Sequence, residues 1–573
     1  MNTRHSIGWG LGIALLVAGC SAGGNSADPS TVTPAGAGGG TAGAGGGASD
    51  SGAGAYFDAG NASDGSGGGD FVNDPTTCSE AAANRSYIGC DYWPTVTANN
   101  VWSIFDFAVV VSNVGNDPAD VTVTGPGNVN IQQQVQPGTL QTIYLPWVPA
   151  LKGPDFDTCT SAQPLANTIL AQKSAYHLVA SRPIMVYQFN ALEYKGAGGP
   201  PGKNWGACPG NQICSSYGQA VGCFSFSNDA SLLLPSTAMT GAYRVAGASA
   251  WDNNGAPFMP TYVAITATQD GTTVQFKAKG RVMSGGGMPT LQAGGSASVT
   301  LQQGDVLEVI GGNAVGDDLS GSLVLADKPV QTITGMPCRN VPSGQPACDH
   351  VEESVFPAET LGREYFVTLP ANPQGGAPPG QWVRIIGNVD GTTITFDPPI
   401  SAPGVSNGQA TLQAGSVLDL GIQTVDFKVS SPDKEFIVAT FLQGASVVDP
   451  PPNPMVPYQS KGDPSQSFMT ATEQFRDLYI FLAPNDYDLN FVNVVAPPGA
   501  QLTLDGQNVD MGQFRAIGAS GFGVGRLALS PAGAHRLESS LPVGIQVYGY
   551  GSYTTYQYPG GLNLKTIAPP PLK

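Results

Sequence analysis

The chain has 573 residues, of which 41% are hydrophobic and only 12% charged, and it carries a net charge of −18. That length exceeds what a single hydrophobic core supports. The acidity excludes the basic grooves that nucleic acid needs and electrostatic docking to anionic lipid, while 77 Gly and 47 Pro favour short strands and loops over long helices.

Residues 1–19 read as a secretory signal, with Arg4, an apolar run Leu11–Val17, and small residues Ala18-Gly19 before Cys20. The ending VAGC resembles a bacterial lipobox, which implies that Cys20 is lipidated and becomes the first mature residue. Ser21 follows rather than Asp, which in that class of signal favours the outer membrane. No other stretch reaches the ~18 continuous apolar residues of a membrane span. Lipid is therefore the expected anchor, and two or more acyl chains suffice to hold it.

After Cys20, the segment to Thr77 predicts a disordered tether of Gly, Ala, Ser, Thr and Asp, without Lys or Arg. It cannot bury enough apolar area to offset its ordering entropy. As a flexible coil it spans roughly 40 Å root-mean-square.

Eight cysteines remain, an even number behind an export signal, which predicts disulfides. Cys78 with Cys90 and Cys338 with Cys348 are close neighbours and are paired here. Cys159, Cys208, Cys214 and Cys223 allow three connectivities, among which the sequence does not choose. Zinc is disfavoured because these spacings lack a C-x₂-C knuckle and a nearby His pair.

Strand signals dominate from Trp102 to Leu564, among them FAVVVSN, YVAITATQ, WVRIIG and FIVATFLQ. DGTT occurs at 270–273 and 390–393, and its Asp-Gly pair predicts hairpin turns. LQAG follows at Leu291–Gly294 and Leu412–Gly415. A closing phrase recurs four times: ASRPIMVYQFN to Asn190, ADKPVQTITGM to Met336, SPDKEFIVATFLQG to Gly444, and SSLPVGIQVYGYG to Gly551. The reading is all-β, with four divergent tandem β-sandwich-like units packed together near 85–195, 230–340, 360–445 and 470–555. A closed, propeller-like ring is the alternative. In such a ring the strands of Phe107 and Tyr548 would share a sheet, whereas tandem units would leave them far apart.

In order along the chain come YIGCDYWPT (87–95), FAVVVSN, LPW (145–147), PIMVYQFN, SNDASLLLPS (227–236), GDDLSGS (316–322), CRNVPSGQPACDHVEES (338–354) and HRLESSLPVGIQVYGYG (535–551). This ordered set resembles the IgGFc-binding protein N-terminal domain family over residues 78–560, leaving 561–573 as a C-terminal tail. The resemblance implies an extracellular, disulfide-bonded, all-β binding module with no known reaction, and it transfers no ligand residues.

Catalysis needs convergent titratable groups, and the chain offers few. His350 stands beside Asp349, Glu352 and Glu353 in CDHVEES, which reads as a disulfide-pinned loop with solvated acids rather than an acid–base or metal site. His177 lies in a strand and His535 in a turn. No G-x-S-x-G frames a serine. The expectation is no catalytic residue and no cofactor, with Asp317-Asp318 as the only candidate for calcium. Tyr548, Tyr550, Tyr553, Tyr556 and Tyr558 are candidate ligand contacts, if they do not instead close the last strand against a neighbour. The expected function is non-catalytic recognition or adhesion at the cell surface, towards an extracellular protein or glycan. Alternatives are a structural envelope or matrix component and a carboxylate-based glycan hydrolase.

Overall fold

Each closing phrase is the point where the chain changes sheets. In the computed structural model, which describes residues 75–571 apart from 252–258, 315, 346–347 and 453–458, Leu323–Ala326 and Val330–Arg339 lie in different sheets on either side of Asp327-Lys328-Pro329. Phe427–Ser430 and Phe436–Phe441 do the same around Pro432. In the first and last units one long strand, His177–Asn190 or Gly533–Gly551, passes through Pro183 or Pro542 and its two halves take different partners. Proline has no N–H to give a ladder, so it suits these crossings. The signal and lipidation site at 1–20 and the tether up to residue 74 lie outside the described residues.

Every unit therefore has an inner and an outer sheet. Inner strands such as Tyr262–Ala267 and Val330–Arg339 are buried throughout, which explains their continuous apolar runs. Outer strands alternate: Thr272–Lys277 buries Thr272, Val274 and Phe276 and turns the residues between them outward. In the third unit Ile394, Phe396, Phe427 and Val429 of the outer sheet share one core with Val383, Ile385, Phe436 and Val438 of the inner sheet. The sandwich-like character expected of the units is present.

The DGTT turns are not hairpins. Asp270-Gly271 joins the inner strand Tyr262–Ala267 to the outer strand Thr272–Lys277, and Asp390-Gly391 joins Gln381–Gly387 to Thr392–Asp397. Both turns are built alike. Gly271 and Gly391 adopt φ of +64° and +68°, where a side chain would be strained. The hydroxyls of Thr272 and Thr392 donate back to the carbonyls of Gln269 and Val389, at 2.7 and 2.9 Å. Lys328 and Lys434, both from closing phrases, donate to the carbonyls of Asp270 and Asp390. The Asp270 carboxylate accepts from the Gln303 N–H and that of Asp390 from the Ala414 N–H. The structural counterpart of Leu412–Gly415 is therefore Leu301–Gly304, whose letters are LQQG, and not the LQAG at Leu291–Gly294.

A second set of strands lines the middle. After each closing strand the chain returns and pairs antiparallel with it, as Ala230–Leu232, Asp349–Ser354, Gln466–Phe468 and Thr554–Pro559. These four axial strands touch one another in succession, and the fourth touches the first. Among the described residues no sheet joins the first and last units, since Phe107–Ser112 and Gly533–Gly551 belong to separate sheets. The units nevertheless close on themselves through side chains: Tyr187 lies 4.6 Å from Tyr558 between ring centroids, and Phe189 lies 6.3 Å from Tyr556. The expectation that tandem units leave the two ends apart is thus corrected. Closure by packing needs no shared ladder, because the aromatic rings supply the buried area.

The C-terminal segment acts as a clasp. Leu562 and Leu564 are buried, Gly561 lies against the Tyr87 ring, and the Arg476 guanidinium covers that ring at 5.0 Å. Gln474 donates to the carbonyls of both Thr360 and Lys565. Deleting residues 562–573 removes two buried leucines and is expected to destabilise the protein by about 3–5 kcal/mol. An unchanged urea midpoint for the truncated chain would show that the tail is no clasp.

Candidate recognition surface

The acidic cluster of the sequence is the axis of the fold. Asp349, His350, Glu352 and Glu353 are 0% exposed, so the expected solvated loop is instead a buried strand. Glu352 Oε1 accepts from Gln188 Nε2 (3.1 Å) and the Ser231 hydroxyl (3.0 Å). Its Oε2 accepts from the Thr97 hydroxyl (2.9 Å) and Asn190 Nδ2 (3.1 Å), and lies 3.3 Å from His350 Nε2. The Asp229 carboxylate takes the N–H groups of Glu352 and Gln466, which links three units through one side chain. Burial pushes the carboxyls of Asp229, Asp349, Glu353 and Asp463 well above the usual range. Enclosed this way the cluster has no face for a substrate, and its role is to bind the units together.

The tyrosines are also inside. Tyr548, Tyr550, Tyr556 and Tyr558 are at most 1% exposed, so the surface patch proposed for them does not exist. Their hydroxyls are satisfied internally, for example Tyr548 on Asn493 Oδ1 and Tyr556 on Asn490 Oδ1, both at 2.8 Å. They close the last unit against its neighbours. Tyr553 alone is half-buried, with its ring 5.3 Å from Phe224 and 5.8 Å from Phe226.

Asp317 and Asp318 are committed to protein donors. Asp317 Oδ2 takes the Ala314 N–H, while Asp318 takes the Ser320 N–H and pairs with Arg384. Among the described residues no group of three or more His, Cys, Asp and Glu side chains is arranged to hold a metal ion. His177 stacks on Trp93 at 4.2 Å and meets Asp91 at 2.8 Å, and His535 meets Asp505 at 2.8 Å. Neither joins a catalytic set.

What the molecule does present is the loop between the first two units. Disulfides Cys159–Cys214 and Cys208–Cys223 staple it, beside Cys78–Cys90 and Cys338–Cys348 elsewhere. Its tip is a short ladder of Ile213-Cys214 against Gln219-Ala220. Gly210 passes so close to Gly222 that a β-carbon there would lie 2.0 Å from the Gly222 carbonyl oxygen. Below it Trp205 donates to the Gly198 carbonyl at 2.9 Å and leans on Phe105 at 5.1 Å. On this rigid base Ile213 is 73% exposed and Tyr217 63%, the two most exposed large hydrophobic side chains among the described residues. Residues 204–226 contain no charged side chain in a chain of net charge −18. The sequence signal was available as a charge-free, Gly-rich stretch with three cysteines, but the spacing alone does not show which side chains face outward.

Residues 229–549 match the family model described as IgGFc binding protein. The chain belongs to that family. No curated protein and no solved structure gives a significant match. The family match begins at Asp229 and ends at 549, so it covers three of the four axial strands, Asp349–Glu353 and most of the last unit, but not Thr554–Pro559. It leaves out YIGCDYWPT, FAVVVSN, LPW and PIMVYQFN, which carry part of the sequence resemblance, and also the stapled loop. A binding or recognition role goes with an IgGFc-binding domain. Four disulfides suit an extracellular setting, and no helix among the described residues is long and apolar enough to cross a membrane.

Proposed function

We propose that this member of the IgGFc binding protein family is a non-catalytic, cell-surface recognition lipoprotein that binds an extracellular protein through the stapled loop. The observation that carries this reading is the exposure of Ile213 and Tyr217 on a doubly cross-linked base. Large apolar and aromatic side chains held in place lose little entropy on binding, and such residues dominate protein interfaces. Because residues 204–226 are uncharged, contact there does not depend on ion pairing. Cys20 provides the lipid anchor and the Gly-rich tether the reach.

The test has two arms. Binding of the mature chain to immobilised extracellular proteins, including antibody Fc, is measured for the native chain and for an Ile213→Ser, Tyr217→Ser double variant. The variant is expected to bind at least about tenfold more weakly at an unchanged unfolding midpoint, and the native signal is expected to persist at high salt. Equal binding by both chains sinks the loop assignment. In the second arm Cys20→Ala is expected to move the protein from the membrane fraction to the soluble fraction, and continued lipid labelling excludes this anchor.

A further inference from the structure

A second surface feature is independent of the loop. A cleft of about 580 Å³ opens where the outer sheet of the second unit meets the C-terminal segment. That volume falls within the roughly 300–1,000 Å³ of small-ligand sites. Its position follows from two attachments. The N–H groups of Ile567 and Ala568 both reach the Glu359 carbonyl, at 2.7 and 3.2 Å, and this carries Pro570 and Pro571 forward as one wall. The opposite side is the outer-sheet strand Thr272–Lys277 with its neighbour Leu323–Ala326.

The lining has a definite chemistry. Leu325 and the two prolines supply apolar surface without aromatic rings. Carboxylates stand at two places. Asp327 accepts the Thr273 N–H through Oδ1 at 2.8 Å and leaves its other oxygen unengaged. Glu359 accepts the Thr240 hydroxyl at 3.1 Å through Oε2. Gln275 adds to the lining an amide that both donates and accepts. Among the described lining residues there is no Lys or Arg; Arg85, outside that lining, acts on the Glu359 carboxyl.

We infer that this cleft binds a neutral oligosaccharide. Hydroxyl groups of a sugar donate to the carboxylates of Asp327 and Glu359 and exchange hydrogen bonds with Gln275, while the C–H faces of pyranose rings lie against Leu325, Pro570 and Pro571. Two carboxylates without a lining cation repel sulfated or carboxylated glycans and phosphorylated ligands. A basic peptide would find one exposed carboxylate here, Asp327, because Glu359 is half-buried and already accepts from the Thr240 hydroxyl, an arrangement that leaves room for a single further hydroxyl donor rather than a second ion pair.

The experiment titrates the mature chain with maltotetraose, cellotetraose, xylotetraose and chitotetraose, with heparin and oligolysine as charged comparisons. Saturable binding of at least one neutral oligosaccharide is expected. It should weaken at least about tenfold in Gln275→Ala and in Asp327→Ala, since each loses a ligand hydrogen bond, with the urea midpoint unchanged. Leaving the Ile213→Ser, Tyr217→Ser variant unaffected separates this site from the loop. No saturable binding of any neutral sugar overturns the inference, as does sugar binding that both cleft variants retain. Binding of heparin or oligolysine alone also overturns it.

Discussion

Replacing Glu352 by alanine is expected to destabilise the protein by at least about 4 kcal/mol. Four side-chain donors, on Thr97, Gln188 and Asn190 of the first unit and on Ser231 of the axial strand Ala230–Leu232, end on this one carboxylate, and His350 lies beside it. All of these residues are fully buried, so water cannot replace the lost acceptor. The substitution also leaves a cavity at the junction of two units. Glu352→Gln keeps one oxygen acceptor and should cost less than alanine. The exposed Glu538, paired with Arg536 at 2.7 Å, is the control: its alanine variant is expected to stay within about 0.5 kcal/mol of the native chain. Urea midpoints of the three variants decide the matter, and a native-like Glu352→Ala would remove the axial cluster from any structural role.

Stability should fall as pH rises from about 5 to about 9. The buried carboxyls of Asp229, Asp349, Glu353 and Asp463 have raised pKa values, chiefly from desolvation. Glu308 belongs with them: burial pushes it up to about 8, opposed by the Ala98 N–H that it accepts. A group raised in this way is favoured protonated in the native state. Its contribution is complete below the ordinary carboxylate pKa and is lost as pH climbs through the folded value. For Glu308 the window runs from 4.5 to about 8, which at about 1.4 kcal/mol per pH unit corresponds to about 4–5 kcal/mol. Glu308→Gln removes this titration while its amide oxygen can still accept from Ala98. The variant should therefore show a shallower loss of stability between pH 5 and pH 9. Parallel pH profiles for the native and Glu308→Gln chains would exclude Glu308 as a contributor.

Much of the architecture was legible because strand burial writes itself into residue order. Outer strands such as Thr272–Lys277 alternate, and inner strands such as Tyr262–Ala267 read as unbroken apolar runs. The closing phrases were visible because a crossing between sheets calls for a residue that cannot serve in a ladder, and proline recurs there. Letters misled where short-range identity replaced geometry. LQAG at Leu291–Gly294 matches Leu412–Gly415 in sequence, yet the hydrogen bond to the DGTT aspartate is made from Gln303 in one unit and Ala414 in the other. DGTT itself keeps its turn chemistry but joins two sheets, because the turn residues specify a local reversal and not which strands will pair.

The candidate sites divide in the same way. The sequence by itself determined an acidic, all-β chain with four related units and an even set of cysteines behind an export-like segment. It placed charged and aromatic side chains near one another along the chain. It did not say which of them water reaches, because exposure depends on what the other units cover. Tertiary structure alone put CDHVEES and the tyrosine strand on a sealed axis, where ring closure by four short strands buries them from several sides at once. It also left Ile213 and Tyr217 uncovered, at the tip of a loop whose buried Cys208 and Cys214 tie its base to the protein while no other described segment packs over the tip.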